Sequence, residues 1–253
     1  MDDKPIADEV ALVTGAGRNI GRAIALALAD AGARVAVNVR ASIDEGQSVV
    51  DEITAGGGDA LLVAADVTQR SQVDAMIDAI AKRWGRLDIV VNNAAIRHEF
   101  PFAELSFADW REAQSVCVDG AFHCIQAALQ LLRASGMATV INIGGMTAHT
   151  GAVRRAHVVT AKAAINGLTR ALAQELAEFG ITVNCVAPGL VDTVRKPSSA
   201  SAGPAHHAIH ETVLGRRGRP DEIASVVVWL AGPGGRYVTG ETVHVNGGAY
   251  LGG

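Results

Sequence analysis

Cysteines and tyrosines are few in this chain, and positive charge is not in excess. Three cysteines, Cys117, Cys124 and Cys185, stand in 253 residues. Their number is odd and each sits in an apolar pattern, which argues against a disulfide framework and for reduced thiols. Aromatic residues make up 4% of the chain and include two tyrosines, Tyr237 and Tyr250. The formal net charge is −4, which speaks against broad electrostatic binding to nucleic acid. No basic amphipathic segment marks a membrane surface, and no apolar run reads as long enough to cross a bilayer. The opening MDDKPIADE is short, polar and acidic, unlike a signal peptide. The expectation is a cytoplasmic protein with neither a nucleic-acid nor a membrane partner. Global disorder is excluded by a hydrophobic content of 49%.

What is abundant is glycine placed at turns. In VALVTGAGRNIGRAIALAL, residues 10–28, an apolar strand ends at Thr14-Gly15 and a helix-spaced apolar pattern starts at Ile20. Gly15, Gly17 and Gly21 lie between them. A strand that turns through glycines into a helix offers bare N–H groups and a positive dipole end to an anion such as pyrophosphate. The spacing is G-x-G-x-x-x-G rather than the G-x-G-x-x-G of the dinucleotide fingerprint. By itself the spacing leaves open a ligand-free strand-to-helix turn as the alternative.

The same alternation runs on through the chain. Strands are expected at 34–39, 60–65, 87–91, 139–143, 181–186 and 241–245. Helices are expected at 43–54, 69–84, 107–133 and 159–179, with a further one from Pro220. Strands that are nearly all apolar, each followed by a helix, specify a parallel sheet covered on both faces. Length and the absence of repeats fit one α/β domain over 1–253, a Rossmann-type doubly wound sheet of about seven strands. The polar interval 194–212 reads as a substrate lid, with a disordered insertion as the plain alternative.

Several motifs fall at the expected strand ends. Thr14-Gly15-x-Gly17-x-x-x-Gly21 follows the first strand, Asp66-Val67 the third, and Asn92-Asn93-Ala94-Ala95 the fourth. Lys162 lies in the helix after the fifth strand, Pro188-Gly189-Leu190-Val191-Asp192-Thr193 ends the sixth, and Val245-Asn246-Gly247-Gly248 the seventh. In this order and at these separations the chain resembles the short-chain dehydrogenase/reductase family from about Val10 to Gly248. It is similar to the cytosolic ketoreductases, including 3-oxoacyl-carrier-protein reductases. The resemblance implies a nicotinamide dinucleotide held by Gly15, Gly17, Arg18, Asn19, Ile20 and Gly21 at the pyrophosphate and adenosine side. It assigns Asp66 and Val67 to the adenine, Asn93 and Ala94 to the nicotinamide ribose, and Lys162 to ribose hydroxyls. Pro188, Gly189, Val191 and Thr193 would border the nicotinamide. The family usually has Gly where Ala95 stands.

Cofactor choice is written at the end of the second strand. A carboxylate there accepts the ribose 2′-OH of NAD and repels a 2′-phosphate. This chain has Asn38, Val39 and Arg40, and no acid before Asp44. Arg40 with Arg18 suits a 2′-phosphate, so NADP(H) is expected over NAD(H); the plain alternative is two solvated surface arginines.

The resemblance stops at the chemistry. The family's Tyr, four residues before the Lys, is Val158 here. Its Ser, thirteen residues before that Tyr, is Gly145, and its Asn in the long helix is Cys117. Only Lys162 is kept. His157 and His149 are candidate substitutes, because an imidazole titrates in the useful range. His157, however, points about 100° away from its neighbour on the helix, and for each histidine a polar wall or surface role is the preferred reading over catalysis. Lys162 itself is a possible proton donor. Arg154 and Arg155 are candidate attractors of an anionic substrate, or solvated helix-start residues. The His206, His207 and His210 cluster has helical spacing but lacks a ligand pattern, and no metal is expected.

Three readings follow. The first is an NADP(H)-dependent oxidoreductase acting on a small carbonyl or alcohol through a rebuilt proton relay. The second is a catalytically degenerate NADP(H)-binding subunit or sensor, paired as a hetero-oligomer with an active relative. A redox-neutral lyase or isomerase is a third, without positive support. The resemblance implies a homo-dimer or homo-tetramer joined through the two long helices.

Overall fold

Seven consecutive apolar segments line up side by side in the computed structural model, which describes residues 4–194 and 211–252. The strands are β1 (Val10–Val13), β2 (Arg34–Val39), β3 (Ala60–Ala64), β4 (Ile89–Asn92), β5 (Thr139–Ile143), β6 (Thr182–Pro188) and β7 (Thr242–Val245). They form one sheet in the order β3-β2-β1-β4-β5-β6-β7, every pairing parallel. Parallel strands need crossovers, and helices supply them on both faces. These are α1 (Asn19–Asp30), α2 (Ile43–Ala55), α3 (Arg70–Trp84), α4 (Phe107–Gln114), α5 (Gly120–Ser135), α6 (Thr147–Thr150), α7 (Ala156–Glu175) and α8 (Pro220–Ala231).

The alternation of side chains along each strand divides the core into two layers. Val13, Val35 and Val37 pack on one face with Ile24, Leu28, Val227 and Leu230. Leu12, Ala36 and Val90 pack on the other with Ile80, Cys124, Ile125 and Leu132. The order of strands reverses between β1 and β4, which opens a crevice at their carboxyl ends.

The long apolar segment 107–133 is one continuous helical path with a π-helical turn, Ser115–Asp119, between α4 and α5. Counted through to Ser135 it is long and apolar enough to cross a membrane, contrary to the expectation from sequence. Cys124, Ala128 and Leu132 are nevertheless buried against the sheet, so its apolar face is that of a core helix. The fourth strand begins at Ile89 rather than Leu87. Just before it, Asp88 keeps backbone hydrogen bonds to Val10 and Thr139 at 2.9 and 2.8 Å, and its carboxylate accepts from the Val10 N–H at 2.8 Å. The short helix α6 has no sequence signal.

Asp88 is a fully buried carboxylate whose partners are the Arg86 guanidinium at 2.8 and 2.9 Å, the Val10 N–H and the Ser135 hydroxyl. Burial pushes its pKa up, but the bonds from Arg86, Ser135 and Val10 outweigh that and hold it below the ordinary 3.8. A depressed folded-state pKa contributes stability above the ordinary value, and that stability is lost as pH falls through the lower one. Asp88→Ala is expected to cost about 3 kcal/mol in urea denaturation at neutral pH. The same variant should lose less of its remaining stability than the parent between pH 5 and 2.

Of the expected lid at 194–212, residues 195–210 lie outside the described residues, and so do His206, His207 and His210.

Candidate active site

The Gly-rich turn is built by steric necessity. Gly15 has φ of +62°, a conformation that disfavours a side chain, and its N–H donates to the Asn38 side chain at 3.3 Å. A Cβ on Gly21 would stand 2.3 Å from the Gly15 carbonyl oxygen and 2.5 Å from Asn93 Nδ2. Thr14 Oγ1 accepts hydrogen bonds from the Asn93 and Ala94 N–H groups at 2.9 and 3.0 Å, and Asn93 Nδ2 donates back to the Thr14 backbone carbonyl at 2.9 Å. The β1 and β4 ends are thereby locked together with the N-terminus of α1 beside them. Arg18 occupies the N-cap without capping the helix by its side chain, and the first turn holds no acid, so that end stays open to an anion.

The cleft at these strand ends has a volume of about 100 Å³. Ile20, Asn93, Gly145, Val158 and Lys162 line it, and so do Pro188, Gly189, Val191 and Thr193. Nine of the residues expected from sequence therefore meet on one cavity, although 173 positions separate the first from the last. Lys162 is held by α7, which a ladder of buried polar groups pins to the sheet. Asn92 Nδ2 donates to Asn142 Oδ1 at 2.9 Å, Asn142 Nδ2 to Thr169 Oγ1 at 2.9 Å, and Thr169 Oγ1 to the Ile165 carbonyl at 2.8 Å. Lys162 Nζ donates to the Ile143 carbonyl at 2.6 Å. Burial lowers the lysine's pKa; the Arg97 and Arg155 charges lower it further, against an opposing influence of the Cys117 and Cys185 thiols.

Gly145 faces open space: a Cβ there would lie 4.0 Å from both Lys162 Cγ and Thr147 Oγ1. Val158 is buried at the cleft wall. Cys117 is buried in the π-helical turn and is not among the lining residues of the cleft. The two histidines are not brought into the cleft. His157 is wholly buried against Phe100, with ring centroids 5.7 Å apart, and burial followed by Arg155 lowers its pKa. His149 turns to Asn166, 3.1 Å away, and to the rings of His244 and Tyr250, with centroids at 4.6 and 5.4 Å. Tyr250 therefore sits close to the Gly145 loop although 105 positions separate it from Gly145 in the chain.

Toward the adenosine side, Arg40 is exposed and 4.0 Å from the Asp66 carboxylate. Asp66 Oδ1 accepts from the Thr68 N–H and hydroxyl at 2.9 and 2.8 Å, while Val67 is buried. Asn38 is engaged in structure: besides Gly15, its amide donates to the Val63 and Ala65 carbonyls at 3.2 and 3.1 Å. Asn19 exchanges two hydrogen bonds with the backbone of Val194, at 2.9 and 3.1 Å, bridging the Gly-rich turn to the segment after β6. Six lining residues lie outside the positions expected from sequence: Ile96, Arg97, Ile143, Gly144, Met146 and Thr147. Arg97 lies two residues after the Asn92-Asn93-Ala94-Ala95 motif, a spacing that points to it, whereas Thr147 has no sequence signal.

Residues 15–250 match the family model described as Enoyl-(Acyl carrier protein) reductase. The 3-oxoacyl-[acyl-carrier-protein] reductase FabG of Staphylococcus aureus strain Mu50 is 38% identical over 241 residues, covering 95% of this chain and 98% of the relative. The chain belongs to the short-chain dehydrogenase/reductase family. Among solved members, a dehydrogenase/reductase from Sinorhizobium meliloti 1021 superposes with a TM-score of 0.91 at 36% identity, covering 98% of both chains. A short-chain dehydrogenase from Burkholderia cenocepacia J2315 in complex with NADP superposes at 0.89 with 33% identity, covering 97% of this chain and 99% of that one. The chain is thus a short-chain dehydrogenase/reductase whose cleft lies at the switch point where α/β sheets of this topology bind ligands.

Proposed function

We propose that this protein is an NADP(H)-dependent oxidoreductase transferring a hydride between the nicotinamide and a small carbonyl or alcohol substrate through a non-standard proton relay. The observation that carries this reading is Lys162, buried with its ammonium on the Ile143 carbonyl and lining the same cleft as Asn93, Pro188 and Gly189. The open α1 N-terminus beside that cleft suits the pyrophosphate, and Lys162 with Asn93 suits the nicotinamide ribose. When bound, the dinucleotide supplies the hydride. At the family's Tyr and Ser positions stand Val158 and Gly145, which have no proton to give. Lys162 delivers the proton to the nascent alkoxide oxygen, a role favoured by its lowered pKa. The Thr147 hydroxyl, on the same wall, orients the carbonyl. The test is NADPH deuterated at the transferable position, incubated with a mixed carbonyl library. Deuterium in a product supports the reading; none, with NADPH binding demonstrated in the same sample, overturns it.

The 2′-phosphate falls to Arg18 and Arg40, both exposed beside the β2 end, where no acid precedes Asp44. Arg18→Ala combined with Arg40→Ala is expected to weaken NADPH binding tenfold to a hundredfold, the scale of charge-assisted hydrogen bonds worth about 1.5–3 kcal/mol. NADH affinity should stay within about twofold on the same scale, since NADH carries no 2′-phosphate. Fluorescence titration of both nucleotides reads the difference.

The placement of Val158 and Gly145 on the cleft wall also favours a second reading, a catalytically degenerate NADP(H)-binding subunit or sensor working with an active relative. Native purification with copies of itself alone would exclude obligate pairing. In the oxidoreductase reading the assembly is a homo-dimer or homo-tetramer in the cytoplasm, with exposed Phe107 and Phe122 on the long helix available to an interface.

A further inference from the structure

Basic side chains gather at the substrate end of the cleft. Arg97, Arg155 and Lys162 all line it, and no Asp or Glu does so among the described residues. Arg97 is exposed at the mouth, whereas Arg155 is 7% exposed and forms the wall at the start of α7. The two arginine-bearing loops are fastened together, because the Phe100 N–H donates to the Arg154 carbonyl at 2.9 Å. Phe100 packs on His157, and Gln114 Nε2 donates to the His157 carbonyl at 3.0 Å, which anchors the start of α7 to α4. Both guanidiniums lie near enough to Lys162 to act on its charge. Met146, Leu190 and Ile96 add apolar side chains to the same lining, beside Asn93, Thr147 and Thr193. A cavity that combines cations with apolar side chains matches a short organic acid.

We propose that this cleft binds its substrate through a carboxylate held between the Arg97 and Arg155 guanidiniums, so that the reacting carbonyl or alcohol belongs to a small oxo- or hydroxy-acid. The planar forks of arginine suit a carboxylate bidentately, and a site built for that group discriminates against a neutral isostere. Arg154, the immediate neighbour, has φ of +62°, is exposed and does not line the cleft, so it serves as an internal control. The binding claim stands on the cleft alone; only what is done to the substrate rests on the oxidoreductase reading.

The experiment is calorimetric titration of lactate, 2-hydroxybutanoate and 3-hydroxybutanoate against their primary amides. It is run on the full chain with and without saturating NADP+, at one ionic strength. At least one acid is expected to bind ten- to a hundredfold more tightly than its amide. That preference should fall to near parity in Arg97→Gln and in Arg155→Gln, persist in Arg154→Gln, and take an intermediate value in Arg155→Lys, which keeps charge without the fork. Circular dichroism and NADP+ affinity report whether each variant is folded. Equal affinity for acid and amide, no binding of any acid, or equal loss in Arg154→Gln overturns the proposal. Acid preference without deuteride transfer would leave the anion site standing and remove the oxidoreductase reading. Deuteride transfer to neutral ketones without acid preference would do the reverse.

Discussion

Val158→Tyr combined with Gly145→Ser is expected to raise NADPH-dependent ketone reduction a hundredfold to ten-thousandfold, about the contribution of one well-placed acid–base group. Both positions lie on the cleft wall, on α7 and on the loop after β5 respectively. The serine has room, since its Cβ would approach Lys162 Cγ and Thr147 Oγ1 no closer than 4.0 Å. A tyrosine at 158 would extend into the cleft one helical turn before Lys162, placing a phenol beside a cation that lowers its pKa. Steady-state kinetics with a panel of ketones and small oxo-acids reads the result. The single variants separate the contributions: Val158→Tyr supplies the proton and should raise kcat, whereas Gly145→Ser alone should act chiefly on KM. An unchanged rate in a folded double variant would mean that Val158 and Gly145 do not occupy the family's acid–base and orienting positions.

Gly21→Ala is expected to weaken dinucleotide binding a hundredfold or more, through loss of charge-assisted backbone bonds worth about 1.5–3 kcal/mol each. Two effects oppose one another in its stability. Alanine in a helix is worth about 1 kcal/mol over glycine. Against this, the new methyl would sit 2.3 Å from the Gly15 carbonyl oxygen and 2.5 Å from Asn93 Nδ2, which donates to both the Gly15 and the Thr14 carbonyls. Such overpacking costs about 1–3 kcal/mol, and here it displaces backbone rather than a flexible tip, so the clash wins. Gly167→Ala is the contrast. It lies within α7 with nothing inside 4 Å of the added methyl, and a gain of about 1 kcal/mol is expected. Thermal unfolding and NADPH titration of the two variants should therefore move in opposite directions for stability, with affinity lost only in Gly21→Ala.

The amino-acid sequence by itself determined the architecture. Apolar strands such as VALV and RVAVNV, each followed by a helix-period segment, leave a parallel sheet covered on both faces as the way to bury every apolar residue. It also determined the residues of the Gly-rich turn, because strand, glycines and helix are adjacent in the chain. Lys162 and the Pro188–Thr193 segment were legible through family spacing, and they meet on the cleft as that spacing implies.

Tertiary structure decided what depends on direction and on distant partners. His149 and His157 are adjacent in sequence to the cleft residues, yet one ring turns to Asn166 and Tyr250 and the other into the core. Helix phase and packing set those directions, and composition does not carry them. Asn38 stands where a cofactor ligand was expected, but its amide is used up by the carbonyls of β3 and its flank, a partner 25 or more positions away. The convergence of Arg97 and Arg155 beside Lys162 has the same origin. Two loops 58 positions apart are joined by the parallel arrangement of β4 and β5 and the bond from Phe100 to Arg154, so the two arginines line one cleft only in the folded chain.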